Sequence, residues 1–144
     1  MKKFFLFLTS AILLASCESS PEDYEKSYSG TWEEVGSAEM DWKSIKNMRN
    51  YKLAKAIDKS ISSENILTLV FGNKRFELSG NDLSSGSYSI DKDGTVSVEW
   101  DDEGADVYWM YNDDDYLYMI EFGLDEDGEL SKNQLAFKFR RVSN

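Results

Sequence analysis

From Ser63 to its end the chain is built of short apolar-rich runs separated by Gly, Asn and Asp clusters. Regular turn signals at this spacing argue for an all-β domain. The predicted strands are Ile66–Phe71, Lys74–Ser79, Ser87–Ile90, Thr95–Trp100, Ala105–Tyr111, Tyr116–Phe122 and Gln134–Val142. Gly72-Asn73 and Asp91-Lys92-Asp93-Gly94 are the clearest hairpin turns between them. An earlier run, Tyr28–Val35, adds a first strand and brings the total to eight. Eight is the number at which an antiparallel up-and-down barrel closes around side chains or one small ligand.

Alternation sets the phase of some strands. Val96, Val98 and Trp100 share a face opposite Thr95, Ser97 and Glu99, and Leu135, Phe137, Phe139 and Arg141 share another. Both faces are expected to point inward. Val107, Trp109 and Tyr111 are expected inward as well, although Tyr108 and Met110 on the other face are also apolar. The candidate lining of a barrel pocket is therefore Val98, Trp100, Val107, Trp109, Tyr111, Phe137 and Phe139. Tyr116–Phe122 is apolar on both faces, so its phase stays open. A strand of that kind packs against something outside the sheet.

The segment that can supply this cover lies between the first two strands. Glu39 to Lys59 holds good helix formers and neither Gly nor Pro, which predicts a helical insert at about 39–60. Trp42, Ile45 and Arg49 form one stripe and Leu53, Ile57 and Ile61 a second. The drift between them, near Asn47–Tyr51, predicts a bend or two short helices. Lys43, Lys46, Arg49, Lys52, Lys55 and Lys59 make the insert basic. Such a charge run reads first as a solvated helix face, and more sharply as a basic flap on an acidic barrel.

The first residues carry a different message. Lys2 and Lys3 precede an apolar run, Phe4–Leu14, that is too short for a permanent membrane span. It ends in Leu14-Ala15-Ser16-Cys17, which resembles the lipobox of bacterial lipoproteins. That resemblance implies a signal peptide over 1–16, lipidation of Cys17, and attachment to the membrane through the acyl group. Residues 17–27, with the single proline Pro21 and many acids, read as a flexible acidic tether, and residues 28–144 as the barrel. Ser19–Glu25 is also similar to the acidic export tags of some Gram-negative surface lipoproteins. The expected location is thus the outer membrane of a Gram-negative bacterium, lipid-anchored and surface-exposed.

Composition narrows the chemistry. Removing Lys2 and Lys3 leaves 14 basic against 27 acidic residues, a net charge near −13. That balance excludes nucleic acid as a partner. Cys17 is the only cysteine, so no disulfide is available. Histidine is absent, which excludes a Ser-His-acid triad, a Cys-His pair and a histidine zinc site. The acids cluster at turns, where they stay solvated, so a non-enzymatic protein without cofactor is expected. Asp91-Lys92-Asp93-Gly94 and Asp125-Glu126-Asp127-Gly128 resemble the start of a calcium loop but lack its later ligands. They read as tight turns, and no metal site is expected.

Gly30-x-Trp32 on the first strand, the strand-only body, Gly86-Ser87-Tyr88 and the terminal Phe139-Arg140-Arg141-Val142 together resemble the lipocalin and calycin barrels. More narrowly, the chain resembles small bacterial lipocalin-like lipoproteins, over about Tyr28 to Val142. The resemblance implies an eight-stranded barrel plugged at one end by Trp32, with Arg141 packed on its indole. It also implies a pocket mouth at the other end, with the helical insert as a lid or plug. Two functions follow as expectations. One is a monomeric, membrane-anchored binder of a small apolar or amphipathic ligand inside the barrel. The other is a surface lipoprotein that binds a protein partner, with its barrel filled by its own side chains.

Overall fold

A computed structural model describes residues 20–63 and 66–143. The leader and Cys17 lie outside the described residues. The elements are α1 (Pro21–Tyr28), β1 (Gly30–Asp41), α2 (Trp42–Ile45), α3 (Asn50–Ser60), β2 (Ser62–Ser63), β3 (Thr68–Phe71), β4 (Arg75–Ser79), β5 (Leu83–Ile90), β6 (Val96–Trp100), β7 (Ala105–Asp113), β8 (Tyr116–Phe122) and β9 (Asn133–Ser143). Each strand from β3 to β9 pairs antiparallel with the next, and β9 returns to β1, which also pairs with β3. The result is a closed eight-stranded antiparallel barrel, with β2 a short addition beside β1.

One feature differs from the expected tether. Residues 21–28 form a helix packed on the barrel. Ser20 caps it by accepting from the Asp23 amide while Asp23 accepts from the Ser20 amide, and Pro21 occupies the first turn. Tyr24 and Tyr28 stack with ring centroids 5.9 Å apart. Tyr28 is buried and donates to the carbonyl oxygens of Gly94 and Met110. Gly94 has φ +86°, and a Cβ there would stand 3.0 Å from both tyrosines. The β5–β6 turn therefore needs glycine both for its backbone and for room to seat α1.

The barrel core is continuous. Trp32, Leu69, Phe71, Phe76, Val96, Val98, Tyr108, Met110, Leu117, Met119, Phe137 and Phe139 are buried in one cluster. Their rings meet edge-on and stacked, with centroid separations of 5.7 Å for Phe71–Phe76 and 5.5 Å for Phe76–Tyr108. Leu69, Phe76, Val98 and Met119 have no accessible surface, so not even a water fits beside them.

A second cluster lies outside the barrel. β1 continues to Asp41, so the insert starts at Trp42, and it forms two helices as the drifting stripe implies. Leu53, Ala54 and Ile57 of α3 are buried against Met40, Trp109, Tyr118, Ile120 and Ala136 on the outer wall. The insert is thus neither a lid nor a plug over an end; it lies along the side. Asp58 fixes it there, accepting from the Tyr118 hydroxyl at 3.0 Å and pairing with Lys138 at 2.9 Å. The chain returns through β2, which meets β1 at the bulge around Gly36. A Cβ on Gly36 would come within 2.4 Å of the Ser62 carbonyl oxygen, so this approach requires glycine.

Candidate functional site

The closing pair comes from neighbouring strands. Trp32 and Arg141 are register partners on β1 and β9, and the guanidinium lies 4.2 Å from the indole centroid. Arg141 also donates to the carbonyl oxygens of Ser29 (2.7 Å) and Ser27 (3.1 Å), and the Trp32 indole donates to that of Tyr28 (2.8 Å). Arg140 points outward, where it makes a long, exposed contact of 3.7 Å with Glu33. The Trp32 end is therefore sealed by α1 as well as by the indole.

Of the expected pocket residues, Val98, Trp100, Phe137 and Phe139 belong to the inner cluster or pack against it. Val107, Trp109 and Tyr111 do not. Tyr108 and Met110 point inward instead, and Trp109 and Tyr111 face the insert. The register explains the reversal. Val96 and Val98 of β6 stand opposite Tyr108 and Asp106, and directly paired residues share a face. With β6 fixed inward, 106, 108 and 110 must follow. The apolar outer residues Trp109 and Tyr111 are tolerated because the insert covers that wall. Leu117 and Met119 point inward in β8, and Tyr118 and Ile120 pack outward under α3.

The end of the barrel away from Trp32 is polar. The Trp100 indole donates to Asp106 at 2.7 Å, and the Glu34 carboxylate accepts from the Leu67 amide at 3.0 Å. Burial, together with the Asp106 charge, raises the pKa of Glu121. These carboxylates, with Trp100, occupy the place where an apolar ligand would have to enter.

Two large clefts lie outside the barrel. A cleft of about 710 Å3 lies between the insert, α1 and the outer faces of β7 and β8. Its deeper lining is Trp42, Ile45, Leu53, Trp109, Ile120 and Phe122, all buried or half-buried. Arg49, Asn50, Lys92 and Asp93 are exposed at its mouth, with Tyr24 and Thr95 between. Asp93 accepts from the Thr95 amide at 3.0 Å; hydrogen bonds from Thr95 and, to a lesser degree, the charge of Arg49 hold its carboxyl below the usual range. A second cleft of about 660 Å3 is lined by Trp42, Val107, Phe122, Leu124 and Leu130, among others. Trp42 and Phe122, in edge-to-face contact at 5.6 Å, border both clefts. Both volumes fall in the range of small-molecule sites.

The sequence carries one further signal for this arrangement. Ser20-Pro21-Glu22-Asp23 is a helix start, and Tyr24 and Tyr28 are spaced to share one face. The cover expected over the doubly apolar β8 extends to β7, whose Trp109 and Tyr111 are apolar opposite Tyr108 and Met110.

Among the described residues no group of acidic side chains is placed to hold a metal ion. Asp125 accepts from the amides of Asp127 and Glu129, as a turn residue does. No protein-family model matches the chain, and no significant match to a curated protein was found. The closed eight-stranded antiparallel barrel is compatible with a lipocalin-like fold.

Proposed function

We propose that this chain is a lipid-anchored, lipocalin-like lipoprotein that holds a small amphipathic ligand outside its barrel, between the helical insert and the sheet. It acts by binding rather than by catalysis, and it is carried on the outer membrane of a Gram-negative bacterium through lipid on Cys17. The anchor rests on the sequence, where Lys2-Lys3, the apolar run and Leu14–Cys17 stand in lipoprotein order. The single observation that supports the ligand site is a contrast in packing. The barrel interior leaves no water-sized space beside Phe76, Val98 and Met119, whereas the external cleft offers about 710 Å3 over an aromatic floor.

The test is a titration of the chain from residue 17 onward, carrying Cys17→Ser, with short-chain amphiphiles followed by tryptophan fluorescence. Trp42 and Trp109 line the cleft, while Trp32 and Trp100 do not. A saturable change that is reduced in Trp109→Phe, abolished when Trp42→Phe is added, and retained in Trp100→Phe is expected. A change lost in Trp100→Phe alone would return the site to the barrel. Separately, Cys17→Ala in cells should release the protein from the membrane fraction; retention at the normal level would refute the anchor.

A second reading has its own support. Leu124 is 66% exposed, Leu130 41% and Val107 40%, all around the second cleft. Exposed apolar side chains grouped in this way fit a protein partner. That reading expects Leu124→Ser with Leu130→Ser to abolish partner binding and to leave the fluorescence titration intact.

A further inference from the structure

We propose that the ligand of the external cleft is an amphiphile with a single anionic head, the head held between Arg49 and Lys92 and the hydrocarbon tail on Trp109 and Ile120. This rests on the reading of the cleft as a ligand site and adds the class of ligand. The cleft is graded by depth. Leu53, Trp109 and Ile120 at its floor are buried, and its charged members are all exposed at its mouth. Apolar area deep and charge shallow is the arrangement that matches a tail below and a head in water.

The sign of the charge comes from the two walls of the mouth. Arg49 ends the α2–α3 link, and its guanidinium is tethered by bonds to the carbonyl oxygens of Lys46 and Met48, both 2.7 Å. Lys92, from the β5–β6 turn, lines the same cleft. α3 begins at Asn50 with no side-chain cap, so its first-turn amides add partial positive charge on the same side. Asp93 is the opposing charge. It is held in its own turn by the Thr95 amide, so it stays at the mouth as a fixed negative neighbour. Two cations against one anion give a local excess of positive charge on a chain whose formal charge is −11. At contact distance that local sign favours an anionic head over a cationic one, since salt screens the negative field of the more distant residues. Carboxylate and phosphate heads share this chemistry.

The probes are decanoate, decyl phosphate, decanol and decyltrimethylammonium, each below its micellar concentration, titrated calorimetrically into the chain from residue 17 carrying Cys17→Ser. Decanoate and decyl phosphate are expected to bind several-fold tighter than decanol, and decyltrimethylammonium weakest; the tighter of the two anions identifies the head chemistry. Arg49→Gln and Lys92→Gln should each weaken the anions about two- to fivefold, the scale of an exposed ion pair. Asp93→Asn, which keeps the turn acceptor, should tighten them by a similar factor. None of the three should alter decanol. Variants that merely disturb folding would shift all four probes alike, and that result would overturn the assignment. Decanol binding as tightly as decanoate would remove the anionic head while leaving the cleft as a ligand site. Saturable binding of none of the four would overturn both.

Discussion

The guanidinium of Arg141 lies 4.2 Å from the centroid of the Trp32 indole, and the two residues are direct partners across the β1–β9 seam. The seam is where the barrel closes, so this contact joins the first and last strands. It also reaches beyond them, because Arg141 donates to the Ser27 and Ser29 carbonyl oxygens at the end of α1. One side chain thus ties helix, first strand and last strand together.

Trp32→Ala is expected to cost about 3–5 kcal/mol, the scale of deleting a fully buried large aromatic. Arg141→Ala should cost clearly more than Arg140→Ala, which removes only an exposed contact and stays within about 0.5 kcal/mol. Urea unfolding midpoints of the three variants measure this. Equal losses at 140 and 141 would show that the seam does not depend on the cation–indole contact.

Removing α1 tests whether residues 21–28 are structure or spacer. A chain beginning at Ser29 loses the buried Tyr28 ring and the partners of its hydroxyl. The expected loss is about 3–5 kcal/mol, comparable to truncating one buried aromatic. A flexible tether would predict no change in the thermal midpoint.

Alkaline pH should loosen the insert. Burial, and then the hydrogen bond to Asp58, push the Tyr118 hydroxyl up to about 12 from its ordinary 10.0. The folded state therefore favours the neutral phenol more than the unfolded state does. Its contribution to stability is whole below pH 10.0 and is lost as pH rises through about 12. Burial raises Tyr28 and Tyr108 in the same direction. Stability measured by urea unfolding should accordingly fall above pH 10.0, and less steeply in Tyr118→Phe. An unchanged slope in that variant would separate Tyr118 from the alkaline transition.

Calcium at millimolar concentration should leave the melting temperature where it is. A specific site would raise it, since an ion bound only by the folded state stabilises that state. Asp93 and Asp125 already spend carboxylate oxygens on amides of their own turns. A rise reversed by chelator would identify a site that the turns do not display.

Much of the barrel is legible in one dimension. Turn residues at Gly72-Asn73 and Asp91–Gly94 delimit strands, and two-residue alternation orients Val96, Val98, Phe137 and Phe139 inward, because both signals are local. The lipobox-like Leu14–Cys17 is local too and stands in the sequence alone. The orientation of β7 and β8 is not local. Both of their faces are apolar, and alternation cannot rank two apolar faces. What ranks them is the register of β7 on β6, set by pairs such as Val96 with Tyr108 across one hairpin, and the presence on the outer wall of α3, whose Leu53 and Ile57 stand tens of positions away in the chain. The same holds for the cleft. Arg49 and Lys92 are separated by more than forty residues and come to one mouth only because the insert folds back along the side of the barrel. Whether the barrel is hollow was likewise beyond the sequence, since the same inward aromatics can line a cavity or fill it. Their mutual contacts, Phe71 on Phe76 and Phe76 on Tyr108, fill it, and a space large enough for a ligand lies between the wall and the helices.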